Sequence, residues 1–85
     1  MACYRLQIKP SAAKELEVVP LRDRKRLIAK IRRLAQEPRP PGCEKLAGEA
    51  KFRLRQGDYR ILYSVDDANS TIVVVKLGHR RDVYR

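Results

Sequence analysis

The sequence predicts an α+β fold in the order βααβββ, a mainly antiparallel four-stranded sheet with two N-terminal helices packed on one face. Three observations carry this. Apolar residues recur at helical spacing in the N-terminal half and alternate from Lys51 onward. Prolines and glycines fall at the joints between these segments. Thr71 to Leu77 is largely apolar on both faces, as a central strand requires.

Each element has its own signal. Cys3 to Lys9 alternates, with Tyr4, Leu6 and Ile8 on one side, so it reads as the first strand, stopped by Pro10. Ser11 is placed to cap a helix running to about Val18, with Glu15 near its start, where the helix dipole favours an acid. Val19-Pro20 breaks that helix, and Pro20 suits the first turn of the next. Leu27, Ile31, Leu34 and Ala35, with Ile28 beside them, make one apolar stripe on the second helix, which fades before Pro38. Pro40-Pro41-Gly42 continues as a loop. In KFRLR, Phe52 and Leu54 point one way and Lys51, Arg53 and Arg55 the other. Gln56-Gly57-Asp58 turns the chain into YRILYSV, Tyr59 to Val65. Asp66 to Ser70 turns it again into the last strand, and Gly78 is expected to release the chain.

Eighty-five residues with 44% hydrophobic side chains fit one domain over residues 1–85. A chain of this size buries only about 60% of the surface that its unfolded form exposes. No apolar stretch approaches the roughly 20 residues that span a bilayer, and the alternating N-terminus does not read as a signal peptide. Cys3 and Cys43 form no disulfide framework, which suits a reducing cytoplasm, although one bridge between them is open on this count. One histidine and two distant cysteines make no zinc ligand set, so no cofactor is expected.

Charge is the informative property. Twenty Lys and Arg against ten Asp and Glu give a net charge of +10. A surplus of this size favours a polyanionic partner, nucleic acid or acidic protein. Two surfaces carry it. Arg22, Lys25, Arg26, Lys30, Arg32 and Arg33 lie away from the stripe of the second helix, and with no aromatic residue among them they read as a solvated face. On the sheet, Lys51, Arg53 and Arg55 oppose Phe52 and Leu54, and Arg60 of the next strand is expected to join them. Like charges on adjacent strands repel, and a bound phosphate backbone relieves that repulsion. The tail LGHRRDVYR starts at a sheet end, which puts His79, Arg80 and Tyr84 within expected reach of the same cleft.

Several segments also resemble a known family. KLAGEAKFRLRQGDYRILYSVDD (Lys45 to Asp67), VVVKLGHRRDVYR (Val73 to Arg85) and the loop EPRPPGCEKLAG (Glu37 to Gly48) resemble the RelE toxins of bacterial and archaeal toxin–antitoxin pairs. The combined motifs K-L-x-G, R-x-G-x-Y-R-x-x-Y and G-H-R-x-x-x-Y carry the likeness, and the element order extends it over essentially the whole chain. It implies a RelE-like microbial RNase-type fold and a metal-independent endoribonuclease acting on mRNA in the ribosomal A site, which inhibits translation. It also implies a RelB-like antitoxin that wraps the toxin and blocks the basic face. By position, Lys51, Arg53, Arg60, Arg80 and Tyr84 match the family's active residues, and Lys45, Arg55, Arg81 and Arg85 are expected to track the RNA. Arg53 stands where lysine is common, which keeps the charge and changes its geometry. With Arg85 as its last residue, the extra C-terminal helix of some relatives is not expected.

The chemistry implied is attack of the RNA 2′-hydroxyl on the adjacent phosphate, leaving a 2′,3′-cyclic phosphate and a 5′-hydroxyl. Tyr84 is the implied base, and Lys51, Arg53 and Arg60 stabilise charge on phosphorus. For the acid, Arg80 has family precedent but a very high pKa, and His79 is the alternative because it titrates near neutrality. Two other readings share the fold: a ParE-like toxin that inhibits DNA gyrase by binding, and a non-catalytic ribosome- or RNA-binding module.

Overall fold

The computed structural model describes residues 3–46 and 51–79, and Arg80, Arg81, Tyr84 and Arg85 lie outside them. The elements are β1 (Arg5–Ile8), α1 (Pro10–Glu17), α2 (Leu21–Leu34), β2 (Glu44–Lys45), β3 (Lys51–Gln56), β4 (Tyr59–Asp66) and β5 (Thr71–His79). The sheet order is β1-β5-β4-β3-β2. The α+β class, the two helices and the mainly antiparallel sheet agree with the sequence reading. A fifth strand is added: the two residues of β2, which sequence reading left in a loop, pair with β3. Two residues carry too little periodicity to announce a strand.

β5 is an interior strand, flanked by β4 antiparallel and by β1 parallel. A parallel pair needs a crossover, and here it consists of everything between the first and last strands. β1 ends at Ile8, and Pro10 opens α1 at its first turn, where the missing N–H costs nothing. Helix α1 therefore begins one residue before the expected Ser11 cap, and Lys9 at the N-cap makes no side-chain cap. Pro20 likewise caps α2 rather than sitting inside it.

Glu15 also departs from expectation. It lies in the second half of α1, and its carboxylate accepts the Leu77 backbone N–H at 3.0 Å and the Lys76 ammonium at 2.9 Å. β1 pairs only as far along β5 as Val74, so Glu15 serves a stretch of β5 that lies past the end of β1. At the C-terminus of α1, the Arg24 guanidinium donates to the Glu17 and Val19 carbonyls at 3.1 Å each, a cation on a helix C-terminus.

The core lies between the helices and one sheet face. Ala12, Leu27, Ile31 and Leu34 from the helices, with Val19 between them, meet Phe52, Leu54, Ile61, Tyr63, Val65, Ile72, Val74 and Leu77. On β3 and β4 these residues occupy alternate positions, so Lys51, Arg53, Arg55 and Arg60 fall on the opposite face. The β3–β4 hairpin closes through Gly57 and Asp58, with Gly57 at φ +60°, the left-handed conformation this position needs. Gly78 does not release the chain: β5 runs on to His79, paired with Tyr59. A bulge at Leu62/Tyr63 leaves Val75 as the extra residue in β5.

Candidate nucleic-acid interface

Register alone assembles the basic face. Across the β3–β4 hairpin, Lys51 lies opposite Ser64, Arg53 opposite Leu62, and Arg55 opposite Arg60. Directly opposed residues share a face, so the four cations stand on one side of two adjacent strands. On the far side of β3, Glu44 of β2 lies opposite Arg53 and enters the same face.

The loop between α2 and β2 gives this face a wall. Tyr63, whose ring is buried in the core, donates its hydroxyl to the Pro38 carbonyl at 2.8 Å. Arg39 bonds Asp67 at 2.7 Å and lies 5.4 Å from the centre of the Phe52 ring, while Tyr4 donates to the same carboxylate at 2.6 Å. Burial pushes the Tyr63 phenol far above its ordinary pKa, so it remains a donor. Gly42 at φ +93° then turns the chain into β2. The result is a groove of about 460 Å³ lined by Lys30, Pro41, Gly42, Cys43, Glu44, Arg53, Leu54, Arg55 and Arg60.

Four cations and one carboxylate meet in that groove. Arg53 donates from Nη2 at 2.7 Å and from Nε at 3.2 Å to one oxygen, Glu44 Oε1. These hydrogen bonds and the charge of Arg53, with Arg55 and Arg60 adding to them, hold the Glu44 carboxyl below its usual range. One guanidinium nitrogen of Arg53 and one of Arg60 are shut off from solvent, so both side chains are seated on the sheet. Seated guanidinium groups aimed into a groove suit a tetrahedral anion, because their planar forks match its oxygens at little cost in ordering.

Not every expected residue gathers there. Lys45 pairs with Phe52, which turns it to the other side of the sheet from Arg53. His79 pairs with Tyr59, one alternation from the buried Leu77, and its ring packs edge-on against Tyr59 at 5.7 Å between centroids. It lines a separate cleft on the helix side with Glu15, Val18, Val19 and Tyr59. The convergence of His79 with the cations, expected if the strand stopped at Leu77, is not what the register gives. Two residues of the groove escaped sequence reading. Glu44, flanked by Cys43 and Lys45, carries no signal of its own in the sequence, and Lys30 reads as part of the solvated helix face.

The matching family model is described as ParE toxin of type II toxin-antitoxin system, parDE, and it covers residues 6–84. The chain belongs to this family. It lies in the RelE/ParE superfamily, and other relatives bear on the RelE side. Toxin RelG of Mycobacterium tuberculosis is 42% identical over 55 residues, and the match spans 61% of this chain and 61% of that protein. The toxin–antitoxin complex RelBE2 from Mycobacterium tuberculosis contains a chain that superposes with a TM-score of 0.82 at 29% identity, covering 96% of this chain and 97% of that one. The archaeal RelE–RelB complex from Pyrococcus horikoshii gives 0.81 at 29% identity over 95% and 99%. The RelE/ParE architecture of this family member is thereby shown at the level of fold.

Proposed function

We propose that this RelE/ParE family member is the toxin of a type II toxin–antitoxin pair and a metal-independent endoribonuclease that cuts ribosome-bound mRNA and stops translation. The observation that supports this reading most is the groove itself. Lys30, Arg53, Arg55 and Arg60 line a groove of about 460 Å³, beside Lys51 on the same sheet face as Arg53. Such a concentration of seated cations stabilises charge that grows on a phosphate during reaction.

The reaction needs no external nucleophile. The RNA 2′-oxygen forms a bond to phosphorus, the bond from phosphorus to the 5′-oxygen breaks, and one proton leaves the 2′-oxygen while another reaches the 5′-oxygen. In this scheme Tyr84 takes the first proton, a role that rests on the family resemblance and requires cations to favour its phenolate. Lys51, Arg53 and Arg60 hold the equatorial oxygens, and Arg80 stabilises the departing 5′-oxygen, which is protonated by solvent. His79 is left out, since the register turns it toward the helices. The ribosome supplies alignment of the RNA, which converts a weak constellation into an effective one. A cytoplasmic site of action follows from that target.

The partner in this reading is a RelB-like antitoxin. Two similar solved structures are complexes with antitoxins, and an acidic segment complements a chain of net charge +10.

A second reading has one observation in its favour: the matching family model is the ParE model. In that reading the basic face binds and inhibits gyrase, with no cleavage. One pair of assays separates the two. Purified protein is added to a cell-free translation reaction and, separately, to a gyrase supercoiling reaction. The nuclease reading expects arrested translation with shortened mRNA and unaffected supercoiling. Inhibited supercoiling with intact mRNA supports the ParE reading and overturns the first.

A further inference from the structure

One close charge contact in the groove is internal. Arg53 directs two guanidinium N–H groups onto Glu44 Oε1, at 2.7 Å and 3.2 Å. A carboxylate and a phosphodiester offer this fork the same thing, anionic oxygens at hydrogen-bond distance. Glu44 thus occupies the position that a backbone phosphate would take.

The two partners are unequal in what holds them. The Arg53 side chain is only 15% exposed, whereas that of Glu44 is 65% exposed. A largely desolvated guanidinium requires an anion at all times, because a buried charge without one is costly. An exposed glutamate can rotate into water at little cost. Glu44 is also carried by the shortest strand of the sheet, at its edge, behind the Pro40-Pro41-Gly42 turn. An incoming anion therefore displaces the glutamate and leaves the arginine in place.

We infer that Glu44 is an exchangeable internal anion: its carboxylate fills the Arg53 fork until an RNA phosphodiester replaces it, and this competition sets how tightly the groove holds the backbone. The inference rests on the nucleic-acid reading of the groove. Its consequence is a check on indiscriminate binding, since an isolated phosphate must outcompete a tethered carboxylate while a well-aligned RNA gains Arg55, Arg60 and Lys30 as well.

The test uses the full chain and a single-stranded 2′-O-methyl oligoribonucleotide, which carries the phosphates and lacks the nucleophile. Its affinity is measured across a salt series for wild type, Glu44→Gln, Arg53→Gln and the double variant, with urea midpoints confirming that each is folded. Glu44→Gln is expected to bind roughly fivefold tighter, the scale of one exposed ion pair removed from competition. Its plot of log affinity against log salt should keep the wild-type slope, because the same phosphate fills the Arg53 fork in both proteins. In the Arg53→Gln background the same substitution should give no such gain beyond the general loss of a negative charge. Glu44→Ala serves as a second variant and must reproduce the gain. Binding by wild type with equal or weaker binding by Glu44→Gln overturns the exchange while leaving the groove as an RNA site. A gain that persists in full without Arg53 overturns it too, and reduces Glu44 to a bystander charge. Failure of wild type and Glu44→Gln alike to bind overturns both the exchange and the nucleic-acid reading.

Discussion

Arg55 and Arg60 stand directly opposite each other across the β3–β4 hairpin. Cross-strand neighbours of like charge oppose folding, typically by about 0.2–1 kcal/mol against a neutral pair. The fold carries this arrangement beside two further groove cations, Lys30 and Arg53. An anion bound on this face would relieve that tension.

The tension gives the first prediction. Arg55→Gln is expected to stabilise the free protein by about 0.2–1 kcal/mol in urea unfolding, through relief of that repulsion. It is expected at the same time to weaken oligoribonucleotide binding and flatten its salt dependence by about 0.7. Lower stability together with unchanged binding would remove Arg55 from the interface.

Tyr63 gives a prediction of the opposite kind. Its hydroxyl donates to the Pro38 carbonyl, while its ring stacks near Phe52 with centroids 5.7 Å apart. Tyr63→Phe keeps the ring and leaves that carbonyl without its donor, at a cost of about 1–2 kcal/mol in unfolding free energy. Cleavage under conditions where the variant is folded should fall by no more than a few-fold, because Tyr63 supports the wall of the groove and lies outside the groove itself. A loss comparable with that of Arg53→Gln would assign Tyr63 a part in the reaction.

The Tyr4–Asp67–Arg39 cluster predicts a pH dependence. Hydrogen bonds from Arg39 and then Tyr4 hold the Asp67 carboxyl below its ordinary range. A group depressed in the folded state stabilises fully above its unfolded value, near 3.9, and that contribution is lost as pH falls through the folded value. The same contact raises the Tyr4 phenol, chiefly through the hydrogen bond to Asp67. Its contribution is complete below about pH 10 and is lost as pH rises beyond. Urea midpoints of wild type should therefore decline at both extremes, and Asp67→Asn should show a lower midpoint at neutral pH with a weaker decline at each end. Parallel profiles for the two proteins would show that the cluster does not couple to folding.

His79 is the residue on which sequence and structure part most clearly. His79→Ala is expected to retain cleavage within about threefold, since general acid catalysis contributes on the order of 10²–10⁴ and a positioned acid would show such a loss. A drop of that size would mean that the histidine reaches the basic face during reaction and would restore it as the acid.

The reason for that parting is physical. Alternation in KFRLR and YRILYSV was enough to place Lys51, Arg53, Arg55 and Arg60 on one face, because a strand offers each side chain only two directions. The same rule applied to the tail needed the strand's end, and Gly78 reads as a terminator although β5 passes through it. The sequence thus puts His79 in a tail beyond the strand, whereas it is the last residue of β5 and alternates to the helix side. Glu44 and Lys30 were illegible for another reason. One lies in a strand of two residues and the other on a helix, and both enter the groove only through tertiary packing. The parallel pairing of β1 with β5 joins the two ends of the sequence, a separation over which periodicity carries no information.

The central claim is that the groove formed by β2, β3, β4 and the loop after α2 performs chemistry on RNA. The most direct measurement is end mapping of a defined mRNA after exposure to the purified chain, free and bound to ribosomes, with Arg53→Gln and Arg60→Gln in parallel. The account predicts discrete cuts on the ribosome-bound message that leave 5′-hydroxyl ends, reduced by at least about 10²-fold in either variant. Intact mRNA in every arm, or cuts that both variants make as fast as wild type, would contradict it.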